Sequence, residues 1–359
     1  MKVVTIVGAR PQFIKAAVIS REIAKHTAIR EVIVHTGQHF DKNMSDIFFE
    51  EMQIPSPHYH LDINSMSHGA MTGRMLEKIE EVLLLERPDF VIVYGDTNST
   101  LAGALAAKKL HIKVIHIEAG LRSFNMSMPE EINRILTDRI SDILCCPTEQ
   151  AVKNLNDEGY SNFTSKVVTT GDVMQDAAIF YRKLADSDKS IISKLGLEGK
   201  EFALCTVHRA ENTDNLIRLR GIIEALNELA GEIEIVFPVH PRTRKIMAEN
   251  KLLLSCKTID PVGYLDMVNL LTHAKIVLTD SGGLQKEAFF FAKPCVTLRD
   301  ETEWVELIEG NFNFLAGADK ERIVSSFKNM CLVKPDFTKN LYGAGTAAKR
   351  VVALLEQYA

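Results

Sequence analysis

The chain of 359 residues is long enough for two domains with separate cores, and its 46% hydrophobic and 25% charged residues are typical of a globular protein. A formal net charge of −5 argues against nucleic acid or an anionic membrane surface as a partner, and no apolar run is long enough to cross a membrane. The six scattered cysteines lack metal-ligand spacing, and the short N-terminal apolar run is unlike a signal peptide, so we expect a metal-free protein of the reducing cytoplasm.

The first half of the chain alternates short apolar runs with amphipathic segments, which predicts a parallel sheet with helices on both faces. Strands are predicted at residues 3–7, 32–35, 90–94, 114–117, 143–146 and 167–169. Helices are predicted at residues 11–24, 71–86, 99–110 and 131–141. Because ligands of such sheets bind beyond the carboxyl ends of the strands, the residues that follow these strands are the first candidates for a site.

A polar helical stretch at residues 175–195 interrupts the alternation and is interpreted as a bridge between two halves. The alternation then resumes, with strands predicted at residues 202–206, 233–238, 256–259, 276–279 and 294–297 and helices at residues 216–229, 242–250, 264–273, 284–291, 319–328 and 346–358. The pattern predicts an α/β protein of two Rossmann-like, doubly wound domains, residues 1–172 and 173–345, facing each other across a cleft. Residues 346–359 form a final helix that can pack back on the first domain.

The second half contains a strand that runs into a Ser-Gly-Gly turn at the start of a helix. Ser281, Gly282 and Gly283 follow the apolar residues 276–278. Free N–H groups and the positive helix end predict an anion site there, and the glycines allow a phosphate to approach the backbone closely. Glu287 lies about one helical turn further on and can accept two hydroxyl groups, as a ribose would offer. On local sequence alone, a helix start with small capping residues is equally favoured.

Acidic residues follow two strands of the first half and open the next helix. Asp96 follows residues 90–94, Glu118 follows residues 114–117, and Glu130 and Glu131 begin a helix. Each has a structural alternative: Asp96 as a helix cap, Arg122 as an ion-pair partner for Glu118, and the helix dipole for the glutamates. Because strand ends meet at one edge of a sheet, we expect the carboxylates to cluster, to raise one another's pKa and to suit proton transfer near neutral pH.

Basic residues and histidines occupy other strand ends. Arg10 and Lys15 follow the first strand, where they suit a diphosphate or form a solvated basic pair, and the dinucleotide fingerprint is absent. His208 can bond a phosphate or act as an acid, and His240 has the same layout one strand later. Arg299 follows the last predicted strand and is a second phosphate candidate. Together these residues predict proton transfer on a small ligand that carries a nucleotide tail.

These motifs together resemble the non-hydrolysing UDP-N-acetylglucosamine 2-epimerases, and the match is collinear over nearly the whole chain. It is carried by residues 8–11 with Lys15, 95–97, 116–122, 129–134, 207–209 and 279–283 with Glu287. The resemblance implies the B-type glycosyltransferase fold, a UDP-sugar substrate, no cofactor and a homodimer. It also implies a reaction in which the proton on C2 of the sugar is removed while UDP leaves from C1, and UDP then adds back with C2 protonated from the opposite face.

The resemblance assigns roles to individual residues. It makes Asp96, Glu118 and Glu131 the catalytic acids and bases, with His208 beside the diphosphate. It places UDP contacts at Arg10, His208, Ser281, Gly282, Gly283 and Glu287. Taken together with the strand-end pattern, the resemblance predicts further contacts to the substrate or to UDP at Lys15, Arg122, Arg134, His240, Tyr264 and Arg299.

Several positions depart from the pattern of the enzymes that act on plain UDP-N-acetylglucosamine. The start Gly-Ala-Arg-Pro-Gln at residues 8–12, together with residues 123–125 and 301–304, is more similar to the subgroup that epimerises UDP-2,3-diacetamido-2,3-dideoxy-glucuronate to the manno form. That subgroup serves surface polysaccharide biosynthesis, such as lipopolysaccharide O-antigen. The C6 carboxylate of this substrate would need a cation, for which Arg122 or Arg299 is suited.

Two further expectations remain open at this point. In the family, Gln38, His39 and Arg74 would line a second site where UDP-N-acetylglucosamine acts as an activator, and Phe40 replaces a usual basic residue there. Alternative functions are a 2-epimerase of plain UDP-N-acetylglucosamine, a UDP-sugar glycosyltransferase of the same fold, and a UDP-sugar sensor without catalysis. Three clustered acids are more than a glycosyltransferase needs for one general base.

Overall fold

The computed structural model describes residues 1–38, 49, 53–186 and 190–358. The chain divides into two compact units. Unit 1 comprises Met1–Ala177 and Asn340–Ala359, and unit 2 comprises Ala178–Lys339. Each unit contains one parallel sheet of the doubly wound kind. The finer domain boundaries that the sequence predicts stay predictions.

Unit 1 has a seven-stranded sheet in the order β3-β2-β1-β4-β5-β6-β7. Its strands are β1 (Lys2–Val7), β2 (Arg30–His35), β3 (Tyr59–His60), β4 (Phe90–Tyr94), β5 (Lys113–Ile117), β6 (Ile143–Cys146) and β7 (Lys166–Thr169). The order reverses between β1 and β4, where Val4 lies between Val32 and Val91 in register. These central strands are rich in valine and isoleucine because helices cover both faces of the sheet.

The helices of unit 1 connect these parallel strands. They are α1 (Arg10–Ile23), α2 (His68–Glu86), α3 (Asn98–Lys109), α4 (Pro129–Ile140), α5 (Glu149–Asp157), a 3₁₀ turn (Tyr160–Asn162) and α6 (Val173–Ala185), and the unit boundary falls within α6. The alanine-rich α3 packs against both α2 and α4, because its small side chains allow close approach. Its position brings the start of α4 to the carboxyl ends of β4 and β5.

Unit 2 has a six-stranded sheet in the order β10-β9-β8-β11-β12-β13. Its strands are β8 (Phe202–Thr206), β9 (Glu234–Pro238), β10 (Lys257–Ile259), β11 (Ile276–Thr279), β12 (Cys295–Thr297) and β13 (Asn313–Leu315). Its helices are α7 (Ser190–Lys194), α8 (Ala210–Thr213), α9 (Leu216–Leu229), α10 (Pro241–Glu249), α11 (Tyr264–His273), α12 (Gly282–Phe290), α13 (Val305–Glu309) and α14 (Lys320–Leu332). The order reverses between β8 and β11, so the loops after these two strands are neighbours.

The prediction of two Rossmann-like, doubly wound α/β domains is confirmed, and the missed elements have weak sequence signals. β3 contains two residues, and β13 is a three-residue edge strand with an exposed Phe314. α5 has nine mostly polar residues and buries only Ala151, Asn154 and Leu155, so it lacks the long apolar stripe of the predicted helices. The predicted bridge at residues 175–195 contains α6 and α7. All six cysteines are free thiols.

In the parts of the chain that the structure describes, no helix combines the length and the apolar character needed to cross a membrane.

The last helix, α15 (Ala347–Glu356), packs against α1 within unit 1. Thr346 stands at its N-terminus without a side-chain capping bond. The carboxylate of Asp176 on α6 instead accepts hydrogen bonds from Ala347 N at 3.1 Å and Ala348 N at 3.0 Å. A residue far away in the chain therefore caps this helix, which ties the C-terminal segment to unit 1.

We expect Asp176→Ala to loosen α15, because two helix N–H groups lose their acceptor. The loss of a cap costs about 1–2 kcal/mol, so amide hydrogen exchange in residues 347–356 should become roughly tenfold faster. The exposed Asp157 at the end of α5 provides a control, since Asp157→Ala should leave this exchange unchanged. Equal exchange in α15 for wild type and Asp176→Ala would contradict the assignment.

Candidate active site

Three acidic residues predicted from the sequence meet at the carboxyl edge of the unit 1 sheet. Asp96 follows β4, Glu118 follows β5, and Glu131 lies in the first turn of α4. Arg134 connects two of them, with Nη2 at 2.5 Å from Asp96 Oδ2 and Nη1 at 2.9 Å from Glu131 Oε2. The Asp96 side chain keeps 31% of its surface exposed and is the more accessible of this pair.

Glu118 forms an ion pair with Lys15 of α1. Its φ of +69° is rare for a residue with a Cβ, and such strain is frequent at functional sites. A Cβ added to Gly95 would lie 3.3 Å from Glu118 Oε2, so Glu118 reaches the turn that carries Asp96. The alternative in which Arg122 is the ion-pair partner of Glu118 is wrong, because Glu118 pairs with Lys15. Arg10 is the first residue of α1 and is partly exposed.

Glu131 is held by donors around its carboxylate. It accepts hydrogen bonds from Ser123 N at 2.9 Å, Ser123 Oγ at 3.0 Å, Phe124 N at 2.9 Å and Arg134. Burial raises the pKa of Glu131, but these hydrogen bonds outweigh burial and hold the pKa below its ordinary value. The expectation that the clustered acids raise one another's pKa is therefore wrong for Glu131. Its contacts fix the loop before α4.

Arg122 has a structural environment that its sequence position did not reveal. Its guanidinium, 1% exposed, donates to Asp138 Oδ2 at 2.7 Å and to both oxygens of Glu158 at 2.6 and 2.8 Å. These two carboxylates raise its pKa, although burial opposes them. The hypothesis that Arg122 binds a substrate carboxylate is therefore wrong, because Asp138 and Glu158 already occupy its guanidinium.

A cavity of 190 Å³ lies against Asp96 and Lys15 in unit 1. Sequence reasoning missed several of its polar lining residues, among them His68, Asn98 and Asn133. Asn133 Nδ2 donates to Asp96 O at 2.9 Å, and Asn98 Nδ2 lies 3.3 Å from His68 Nδ1. The signal was available for Asn98 and Asn133, because both stand within a residue or two of acids already selected.

Gln12 holds the base of this cavity together. Its side-chain oxygen accepts from Gly8 N at 2.8 Å and Ala9 N at 3.0 Å, while Nε2 donates to Tyr94 O at 2.7 Å. Nε2 also lies 3.0 Å from Thr97 Oγ1. An amide can donate and accept at once, which a carboxylate cannot, so glutamine joins the loop after β1 to the loop after β4.

Two of the three residues expected at a regulatory site, Gln38 and Arg74, lie within the described residues. Gln38 lines the cavity, and its Oε1 accepts from Ser99 N at 3.1 Å and Ser99 Oγ at 2.8 Å. Arg74 is exposed on α2 and pairs with Glu77 at 2.7 Å. His39, together with Phe40, lies outside the described residues. The regulatory role stays a prediction.

The Ser-Gly-Gly turn of unit 2 begins α12, as the sequence predicts. Ser281 is its N-cap and accepts from Leu284 N, and Gly282 and Gly283 are the first helical residues. The buried Asp280 just before it was not selected from the sequence. Its carboxylate accepts from His208 N at 3.0 Å and from Arg209 N at 3.0 Å, and it therefore ties the loop after β8 to this helix start.

His208 lies beside this helix start with its ring partly exposed. Its Nδ1 is 3.3 Å from Asp280 Oδ1. Burial lowers the pKa of His208, and the Asp280 carboxylate only partly opposes this effect. A neutral imidazole at neutral pH follows, which can donate or accept one proton without carrying a fixed charge.

Other predicted contacts of unit 2 are placed as follows. Tyr264 Oη donates to Glu287 Oε1 at 2.9 Å, so the two residues form one polar group on α11 and α12. His240 is an exposed N-cap whose Nδ1 accepts from Arg242 N at 3.3 Å. The structure brings Tyr264 and Glu287 together, and it gives His240 a capping role.

The loop after β12 packs on the Ser-Gly-Gly turn. Arg299 Nη1 donates to Glu303 Oε2 at 2.9 Å, and a Cβ added to Gly282 would lie 2.6 Å from Glu303 Oε1. Trp304 Nε1 donates to Gly282 O at 3.0 Å. Arg209 Nη2 also approaches Gly282, within 3.6 Å of that added Cβ, and sequence reasoning missed it as a site residue. Arginines and a carboxylate thus surround the helix start.

The two units present different chemistry: paired carboxylates at a sheet edge in unit 1, and a helix start ringed by arginine and histidine in unit 2. The model of the family described as UDP-N-acetylglucosamine 2-epimerase matches residues 21–356. The chain belongs to this family. The prediction of a UDP-sugar 2-epimerase, an isomerase, is thereby confirmed at the level of the family.

Similar members of the family cover the chain almost completely. The UDP-2,3-diacetamido-2,3-dideoxy-D-glucuronate 2-epimerase of Pseudomonas aeruginosa is 56% identical over 99% of both chains. The UDP-N-acetylglucosamine 2-epimerase of Methanococcus maripaludis is 46% identical over 99% of this chain and 98% of its own.

Solved structures of family members have the same fold. The Methanocaldococcus jannaschii 2-epimerase, crystallised in complex with UDP-GlcNAc and UDP, aligns with a TM-score of 0.89 at 44% identity and covers 99% of this chain and 100% of its own. A glycosyltransferase from Rickettsia africae aligns with a TM-score of 0.59 at 16% identity over 99% of this chain and 98% of its own, which shows the fold alone. The predicted B-type glycosyltransferase fold is confirmed.

Replacing Glu131 with glutamine should destabilise unit 1 in a pH-dependent way. The amide presents donors to Ser123 N and Arg134, so we expect a loss of about 2–3 kcal/mol at pH 7. Because the pKa of Glu131 is lowered from 4.5, its contribution is complete above that value and is lost as the pH falls through the folded pKa. Amide hydrogen exchange in residues 129–140, measured at each pH, would report this loss of stability.

The exposed neighbour provides the control for this change: Glu130→Gln loses only the helix-dipole interaction, about 0.3–1 kcal/mol, so it should alter the exchange rates of α4 much less. Fluorescence is unsuitable because the single tryptophan, Trp304, lies in unit 2. A destabilisation by Glu131→Gln that stays the same from pH 7 to acidic pH would contradict the lowered pKa.

Proposed function

We propose that the protein inverts C2 of UDP-2,3-diacetamido-2,3-dideoxy-glucuronate and forms the manno epimer for surface polysaccharide, such as O-antigen. The proton on C2 is removed while UDP leaves from C1, which gives a 2-acetamidoglucal-type intermediate. UDP then adds back to C1 while C2 takes a proton on the opposite face. The alternative substrate is UDP-N-acetylglucosamine.

One observation carries the choice of substrate: 56% identity over 99% of both chains to the Pseudomonas aeruginosa enzyme named for this sugar. A member named as a UDP-N-acetylglucosamine 2-epimerase homolog is 51% identical, and two named as UDP-N-acetylglucosamine 2-epimerases are 46% and 44% identical, over a similar length. The subgroup markers in the sequence support the same choice. Residues 301–304 contain Trp304, whose indole bonds the turn at Gly282.

In this proposal, unit 2 binds UDP and keeps it bound after it leaves C1. The start of α12 supplies backbone N–H groups and a positive helix end to the diphosphate, and Arg209 and His208 lie beside it. Glu287 accepts the ribose hydroxyls and is oriented by Tyr264. Retained UDP can add back to the sugar, so the reaction is an epimerisation and water does not capture the intermediate.

Unit 1 supplies the proton exchange. Asp96 lines the cavity, and Glu118 pairs with Lys15, which lines it too. Arg134 and Lys15 orient the two carboxylates. Glu131 acts by holding Arg134 and the loop at Ser123, since its lone pairs are already used. The protein would work as a homodimer, as the family resemblance implies, and in the cytoplasm, as its scattered cysteines predict.

Solvent exchange tests the reaction directly. In heavy water without any acceptor, UDP-2,3-diacetamido-2,3-dideoxy-glucuronate should gain deuterium at C2 and yield two epimers, both measurable by NMR and mass spectrometry. We expect kcat/KM for this sugar to exceed that for UDP-N-acetylglucosamine by at least about tenfold, because a site built for the extra polar groups loses their bonds with the smaller sugar. The reverse preference would favour the alternative substrate, and no exchange on either sugar would contradict an epimerase.

Separate variants should divide binding from chemistry. Asp96→Asn should leave UDP affinity unchanged and slow C2 exchange by about 100- to 10,000-fold, because it removes a proton-transfer group. The double variant Ser281→Ala, Glu287→Ala should weaken UDP binding by about 100-fold, because two hydrogen-bonding groups are lost. Calorimetry with UDP and exchange rates at saturating substrate measure the two effects.

Asp89 is a matched control, since it precedes β4 and bonds Lys2 N at the amino edge of the same sheet. Asp89→Asn should change neither UDP affinity nor the rate of exchange. If Asp96→Asn and the double variant impair binding and exchange to the same extent, the division of roles between the units is wrong.

A further inference from the structure

A buried chain of charged groups lies beneath the candidate acids of unit 1. His116 of β5 is fully buried, with Nδ1 at 2.6 Å from Asp138 Oδ1 and Nε2 at 2.7 Å from Gly95 O. Asp138 on α4 is also fully buried and bonds Arg122, which in turn bonds Glu158. Since His116 has no exposed surface, it cannot touch a substrate.

The partners of the His116 ring define its protonation. A backbone carbonyl oxygen only accepts, so Nε2 must carry a proton to bond Gly95 O. Asp138 Oδ2 already accepts from Arg122 Nη1 at 2.7 Å and from Gly120 N at 3.1 Å. Because the guanidinium of Arg122 donates a charge-assisted hydrogen bond to this buried carboxyl group, Asp138 is a carboxylate, and the Nδ1 of His116, 2.6 Å from Oδ1, must donate to it as well.

The chain holds the turn that carries Asp96. Gly95 has φ of +63°, its N donates to Ile117 O at 2.9 Å, and its O accepts from His116. The peptide groups before and after Gly95 are therefore each fixed by one hydrogen bond. Asn133 Nδ2 and Arg134 then fix the Asp96 carbonyl and carboxylate. Each polar contact of this turn comes from the interior of unit 1.

The carboxylate of Asp138 also bonds the loop after β5, which carries Glu118. Asp138 Oδ2 accepts from Gly120 N, two residues after Glu118. Glu118 itself has a left-handed backbone, a conformation that persists only where its surroundings impose it. Asp138 thus connects, through His116 and through Gly120, the two loops that carry Asp96 and Glu118.

We propose that His116 is an imidazolium that acts as a positioning residue: clamped between Asp138 and the Gly95 carbonyl, it sets the placement of Asp96 relative to Glu118. Its effect on turnover rests on the proposed function, whereas its protonation does not. Substrate affinity depends on other contacts, so loss of the clamp affects the rate of proton transfer and spares binding. A misplacement of about 1 Å can reduce a rate by about 100-fold.

The first experiment is spectroscopic and needs no substrate. Histidine labelled with ¹⁵N in the full chain gives signals for eleven residues, and the spectrum of His116→Gln identifies the signal of His116. At about pH 8 exposed histidines are neutral, while both ring nitrogens of His116 should have protonated shifts. A neutral ring signal for His116 would overturn the proposal, and this holds even if His116→Gln fails to fold, because Asp138→Asn provides a second assignment.

The second experiment is kinetic. His116→Gln and Asp138→Asn should each lower kcat for C2 exchange by about 100-fold, with KM for the UDP-sugar changed by less than about threefold. Asp142→Asn is the matched control: Asp142 bonds Lys108 and Val114 N near the amino end of β5, so its variant should keep wild-type kcat.

Unchanged kcat in His116→Gln, or a parallel change in kcat and KM, would overturn the positioning role. If the wild-type protein itself shows no exchange, the proposed function fails, and the imidazolium state is still decided by the spectrum.

Discussion

A buried carboxylate must receive hydrogen bonds from the chain around it, and both candidate sites depend on this constraint. Asp138 in unit 1 and Asp280 in unit 2 are fully buried. Asp138 accepts from the backbone N–H of Gly120, and Asp280 accepts from that of His208. An unpaired buried charge costs several kcal/mol. If these strand-end loops moved away, they would leave the buried carboxylates without hydrogen-bond donors. The interior of each unit therefore determines where its loops lie.

Helix α4 shows how this constraint organises unit 1. Glu131, Arg134 and Asp138 stand three and four residues apart, so they share one face of the helix. This face is charged and buried, whereas a helix normally buries an apolar stripe. Glu131 and Asp138 bond the loop after β5, and Arg134 bonds Asp96 in the loop after β4, so α4 holds these two loops together. The acids of a 2-epimerase need this precision because both protonation and deprotonation occur at one carbon.

Several residues that the sequence linked to the choice of substrate hold the loops of the site in place. Gln12 joins two strand-end loops, Trp304 bonds the Ser-Gly-Gly turn, and Arg122 belongs to a buried ion network. Arg299 likewise pairs with Glu303 beside that turn. In this chain, these side chains thus shape the loops of the two sites.

The sequence by itself determined the two sheets, the strand-end location of the acids and the helix start at Ser281, because hydrophobic period and turn residues are local signals. It also determined the family, through motifs spread along the chain. Only the tertiary structure decided which charges pair: Arg122 bonds Asp138 and Glu158, which are 16 and 36 positions away, and Lys15 pairs with Glu118, 103 positions away. The pKa of Glu131 and the protonation of His116 follow from those pairings. Such contacts depend on how helices pack on the sheet, and no local pattern of residues encodes that geometry.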